Sequence, residues 1–95
     1  MRILLILLFI SFNSFGQTAE EYFNRGNAKV GLDNYGAIAD YTKAIELDPN
    51  YAVAYSNRGI SKENVGDLNG ACSDWRKAAN LGHTNSKNWI ANDCN

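Results

Sequence analysis

The chain has 95 residues, nine Lys/Arg against ten Asp/Glu and a formal net charge of −1. That length allows one small domain near the lower limit for a self-supporting core. With no basic run and no acidic block, nothing in the charge points to nucleic acid or to an anionic membrane surface.

The amino-terminal end differs from the rest. After Arg2, residues 3–12 are apolar except for Ser11 and lead into Ser14-Phe15-Gly16. A positive start, a short apolar core and a small-x-small tripeptide outline a secretory signal peptide over residues 1–16, cleaved after Gly16. Asn13 breaks the run well short of the about 20 apolar residues that span a bilayer. No stable membrane insertion is therefore expected after cleavage, and no cysteine near the junction could carry a lipid. The mature chain is expected to be exported, periplasmic or secreted. Without Arg2 it keeps eight Lys/Arg and ten Asp/Glu.

Thr18 to Gly31 is predicted as the first helix. Thr18 is its N-cap, with Glu21 three residues on in the capping-box arrangement. Ala19, Tyr22, Phe23, Gly26 and Val30 line one face. After a tight turn at Leu32-Asp33-Asn34, the second helix runs from Tyr35 to Leu47. Its apolar stripe is Ala37, Ile38, Tyr41, Ala44 and Ile45, with Asp40, Lys43 and Glu46 on the opposite, solvated side. Pro49 stops it, because the residue before a proline is pushed out of the α region.

A third helix is predicted over Tyr51 to Val65, with Asn50 as a cap candidate and Ala52, Tyr55, Ser56, Gly59 and Ile60 facing inward. Gly66 stops it and Asp67 caps the fourth helix. That helix, Leu68 to Leu81, carries Leu68, Ala71, Cys72, Trp75, Ala78 and Ala79 on one side. Gly82 ends it. Thr84 or Asn85 caps a short last helix whose apolar members are Trp89, Ile90 and Cys94. Asn88 and Asn92, poor helix formers, weaken it.

These helices repeat. Tyr22-Phe23-Asn24-Arg25-Gly26 recurs as Tyr55-Ser56-Asn57-Arg58-Gly59 at a spacing of 33. Gly36-Ala37, Tyr41 and Lys43-Ala44 recur as Gly70-Ala71, Trp75 and Lys77-Ala78 at a spacing of 34. A period of this size in helix pairs means a helical solenoid. Gly26 and Gly59 each cost about 1 kcal/mol relative to alanine inside a helix. They make sense if the rings of Tyr41 and Trp75 pack against them.

On Tyr22, Gly26, Ala37, Tyr41, Ala44 and Pro49, and again on Tyr55, Gly59, Ala71, Trp75 and Ala78, the chain resembles a tetratricopeptide repeat protein. The leader peptide adds the outline of a small exported bacterial type. The resemblance implies an all-α fold: a short α-solenoid of two helix-turn-helix repeats, residues 17–50 and 51–83, closed by a capping helix in residues 84–95. Arg25 and Arg58 stand where the family pattern prefers leucine, and Lys29 and Lys62 where it prefers tyrosine. Their stems are expected on apolar surface and their charged heads in water.

Two cysteines in an exported chain point to a Cys72–Cys94 disulfide. The alternative is a pair of buried free thiols. A closed loop of roughly 23 residues would contribute about 3 kcal/mol in the chain-entropy account, and the bridge would pin the last helix to the fourth.

Catalytic chemistry has little to rest on. His83 lies in a predicted loop without a partner. The cysteines lack metal-site spacing, and Asp40, Glu46, Glu63 and Asp74 fall on exteriors predicted to be solvated. No phosphate loop or nucleophile elbow is present. Neither an enzyme nor a cofactor is expected. The family resemblance instead implies a concave groove for a protein or peptide partner, lined by the first helix of each repeat. Its candidate residues are Glu20, Phe23, Asn24, Asn27 and Val30, then Val53, Ser56, Asn57, Ile60 and Glu63. Asn27 and Asn57 match two positions of the clamp by which some family members hold a terminal carboxylate, and Lys87 a third. Phe23 replaces the clamp's first basic residue and Ala91 its final arginine, so carboxylate capture is not expected. End-to-end stacking into an oligomer is the alternative use of so short an array.

Overall fold

Short polar turns break the chain into helices too brief to stand alone, so each must bury its stripe on a neighbour. The computed structural model describes residues 16–94. The expected signal peptide, apart from Gly16, lies outside the described residues. Five helices follow in order: α1 (Ala19–Lys29), α2 (Asn34–Leu47), α3 (Ala52–Asn64), α4 (Leu68–Asn80) and α5 (Thr84–Asp93). The strongest contacts join consecutive helices, as in a solenoid. The fold is all-α, two helix-turn-helix units with α5 as the cap.

The turns repeat like the helices. Asp33 Oδ1 accepts from Gly36 N at the start of α2, and Asp67 Oδ1 accepts from Gly70 N at the start of α4, both at 2.9 Å. Thr18 Oγ1 accepts from Glu21 N at 3.1 Å, the cap expected for α1. Gly66 takes φ +87°, a left-handed conformation that glycine adopts without strain. Two caps differ from expectation. Asn50 does not cap α3; Tyr51 occupies that position without a side-chain bond, while Asn50 N donates to Asp48 Oδ1. At α5 the cap is His83, not Thr84 or Asn85. His83 Nδ1 lies 2.8 Å from the hydroxyl of buried Ser86, closing the turn three residues on.

The core is small side chains around two rings. Ala37, Tyr41, Ala44, Ala54, Ala71, Trp75 and Ala78 are buried. A Cβ on Gly26 would stand 2.7 Å from Tyr41 Cε1, and one on Gly59 2.5 Å from Trp75 Nε1. The glycines therefore admit the rings. Trp75 Nε1 donates to the carbonyl of Ser56 at 3.2 Å, which satisfies the indole N–H in a dry interior. Trp75, Cys72 and Ala71 form a cluster completed by Ile60, Trp89, Ile90 and Cys94, and a disulfide joins Cys72 to Cys94. The bridge expected from the sequence is thus present, tying the end of α5 to α4.

The acidic residues correct the sequence reading. Asp40 and Asp74 do not sit on solvated exteriors; they are 6% and 3% exposed. Arg58 Nε and Nη2 donate to the two oxygens of Asp74 at 2.8 and 2.7 Å, and Lys62 Nζ approaches at 3.0 Å. Lys29 Nζ lies 2.8 Å from Asp40 Oδ2. The basic heads expected in water are turned to buried carboxylates instead, because a carboxylate stays ionised in the interior only when paired. Lys43 and Glu46 do remain exposed, 3.6 Å apart.

Candidate functional site

The first helices of the two repeats, α1 and α3, lie beside one another through their asparagines. Asn27 Oδ1 accepts from Asn57 Nδ2 at 3.0 Å and from the Tyr41 hydroxyl at 2.6 Å. A second asparagine pair, Asn64 Nδ2 to Asn34 Oδ1 at 3.2 Å, ties the ends of the units together. Burial pushes the Tyr41 phenol up to about 12; the amide of Asn57 opposes that shift and the Asp40 charge adds to it.

Two shallow depressions follow along this surface. The first, about 220 Å³, is lined by Asn27, Val30, Tyr41, Asn57 and Ile60. The second, about 300 Å³, is lined by Ile60, Glu63, Trp75, Trp89 and Asp93. Ile60 borders both, so they adjoin along α3, together a track with polar edges. Asn27, Val30, Asn57, Ile60 and Glu63 line it, all named among the candidates. Phe23 is half-buried, its ring 5.8 Å from that of Tyr41 and 5.0 Å from that of Tyr51, but it lines neither depression. Glu20 and Asn24 are exposed on α1, and Val53 is half-buried on α3; none of the three lines either depression.

Ser56 departs from its expected place. It is fully buried, and its carbonyl serves Trp75. Position 56 repeats Phe23, yet Ser56 is fully buried where Phe23 is half-buried. Sequence reasoning also missed Tyr41, Trp75, Trp89 and Asp93 as lining residues. Trp89 and Asp93 stand at i and i+4 on α5, one step round from Ile90 and Cys94. That spacing puts Trp89 and Asp93 on one side of the helix, a signal that both could border the same depression. Among the described residues no group of three or more His, Cys, Asp or Glu is arranged to hold a metal ion, and no helix is long and apolar enough to cross a membrane.

A paired-helix repeat with small residues at its contacts and an apolar, asparagine-edged track defines a class: a helical-repeat scaffold. Residues 33–66 match the family profile described as TPR repeat. The helices on both sides of that segment repeat its pattern, so the chain carries a tetratricopeptide repeat at residues 33–66. It is similar to the human small glutamine-rich tetratricopeptide repeat-containing protein beta, with 42% identity over 57 residues, 59% of this chain and 19% of that one. It is also similar to the protein STIP1 homolog of Dictyostelium discoideum, 36% identical over 75 residues, 78% of this chain and 13% of the relative. The serine/threonine-protein phosphatase T of Aspergillus oryzae is 41% identical over 59 residues, 61% of this chain and 12% of that enzyme. These relatives are eukaryotic, and the chain spans about a fifth or less of their length. No solved structure matches.

Proposed function

We propose that this chain is a small, non-catalytic module that binds an extended peptide or a helix of a protein partner along the track formed by α1, α3 and α5. The observation that carries this reading is that the two depressions adjoin at Ile60. An apolar track with a few fixed amides suits side chains that alternate along a peptide, with Asn27 and Asn57 available to its main chain. The leader-like residues 1–16 and the Cys72–Cys94 bridge support an exported setting, periplasmic or secreted, since disulfides persist in oxidising compartments. The reading is of a small exported bacterial type.

A photo-crosslinking amino acid placed at Ile60 or Phe23 should capture a partner, and one at exposed Lys43 on the outer side should not. Equal capture at all three positions would remove the track as the binding surface. Intact mass of the chain recovered outside the cytoplasm should begin at Gln17 and rise by two hydrogens on reduction; an unprocessed chain removes the exported setting. Light scattering over a concentration series that showed growing oligomers would favour stacking of the array in place of a peptide partner.

A further inference from the structure

The lining of the second depression combines two indoles with two acids. Trp75, 1% exposed, forms its floor, and Ile60 and Trp89 are half-buried at its sides. The two indoles stand 5.5 Å apart at a tilt of 53°. Its polar residues are both acids: exposed Glu63 from α3 and exposed Asp93 from α5. Neither depression is lined by Lys or Arg. The nearest basic side chains of α3 are spoken for, since Arg58 and Lys62 both turn to Asp74. Lys87 on α5 is exposed and is not among the lining residues.

A cleft with an apolar, aromatic interior and one carboxylate on each wall complements a particular side chain. A lysine or arginine lays its methylene stem on apolar surface and keeps its charged end at the polar edge. Indole faces attract cations, and a carboxylate strengthens a hydrogen bond to an ammonium or guanidinium group. At about 300 Å³ the cleft lies at the lower bound for small-molecule sites, a size that suits one or two side chains. We infer that the cleft between α3, α4 and α5 receives a basic side chain of the peptide partner. Anionic groups, a terminal carboxylate included, are disfavoured there by Glu63 and Asp93. The inference rests on the peptide-binding reading above and adds the chemistry of one subsite. The disulfide supports it structurally, because Cys94 adjoins Asp93 and holds that wall against α4.

The test uses a random library of C-terminally amidated twelve-residue peptides selected on the oxidised chain. Selection should converge on sequences with a Lys or Arg next to apolar residues. Replacing that residue by norleucine, which keeps the stem and loses the charge, should weaken binding by roughly tenfold, the equivalent of one charge-assisted hydrogen bond. The Glu63→Gln and Asp93→Asn variants, checked for unchanged helicity and melting, should lose most of the preference for the basic peptide over its norleucine form. Binders without a basic residue, or a preference unchanged in both variants, would overturn the inference and leave the peptide-binding reading standing. Failure to select any peptide would overturn both.

Discussion

The two repeats carry the same ionic motif in different settings. In the first, Asp40 meets Lys29 at 2.8 Å and Arg25 only at 3.7 Å, and the basic side chains are 36% and 49% exposed. In the second, Asp74 holds Arg58 through two bonds and Lys62 at 3.0 Å, with basic side chains 15% and 20% exposed. The residues match; their neighbours do not. Arg58 is enclosed by the preceding repeat, where Thr42 Oγ1 accepts from its Nη1 at 3.2 Å. Arg25 has no preceding repeat among the described residues and reaches Gln17 Oε1 at 2.7 Å instead. The bonds to Asp74 raise the Arg58 pKa further, more than its desolvation lowers it. Place in the array, more than sequence, decides how dry a pair becomes.

The sharpest way to break this comparison is to neutralise each acid in turn. Asp74→Asn leaves the Arg58 guanidinium half-enclosed without its counter-charge and should cost about 3–5 kcal/mol, enough to unfold much of so small a domain. Asp40→Asn leaves cations that swing to water and should cost less than about 1 kcal/mol. Chemical denaturation followed by circular dichroism measures both. Equal losses would mean that the two ion pairs are equally buried in solution, against the structure.

A smaller contrast concerns the glycine seats. Gly59→Ala meets a ring pinned by its bond to Ser56 and backed by Trp89. Gly26→Ala meets Tyr41, which is also pinned, by its bond to Asn27, and backed by Phe23, but the added Cβ would stand 2.7 Å from that ring against 2.5 Å from Trp75. Overpacking typically costs about 1–3 kcal/mol, offset by about 1 kcal/mol of alanine's helix preference. Gly59→Ala should therefore destabilise by about 2 kcal/mol and Gly26→Ala by slightly less. Stabilisation by either substitution would contradict the ring-in-seat packing.

Most of the architecture was legible because a period of 33 to 34 is a strong signal and because Gly26 and Gly59 anticipate Tyr41 and Trp75. The acids were misread for a physical reason. A single-helix hydrophobic stripe assigns Asp40 and Asp74 to the far side, but a solenoid helix is flanked on two sides, and that far side is covered by the long side chains of α1 or α3. The clue lay across helices: Arg25, Lys29 and Asp40 recur together as Arg58, Lys62 and Asp74. Within the site, Asn27, Asn57 and Ile60 were legible from the repeat, while Asn24 lines neither depression. Ser56 was expected both to face inward and to line the groove; it is buried, as the inward reading had it, and lines neither depression. Trp89 and Asp93 were hidden because α5 was treated only as a lid.

The smallest expected effect separates the repeats by their chemistry. The ring seated on Gly26 titrates, and the one seated on Gly59 does not. Tyr41 has its pKa raised from the usual 10.0 to about 12 in the folded chain, chiefly by burial. A raised phenol pKa means the folded state favours the neutral ring. That contribution is fully present below pH 10, and it is lost as pH climbs toward 12, where unfolding releases the proton. Stability should thus fall through this window in the native chain, and Tyr41→Phe should flatten the fall. Below pH 10 the same substitution removes the hydrogen bond to Asn27 and should cost about 1 kcal/mol. Trp75→Phe, by contrast, should leave the alkaline slope unchanged while lowering stability at every pH. An alkaline slope that survives in Tyr41→Phe would assign the transition to another phenol, with Tyr51, whose pKa is also raised by burial, the next to replace.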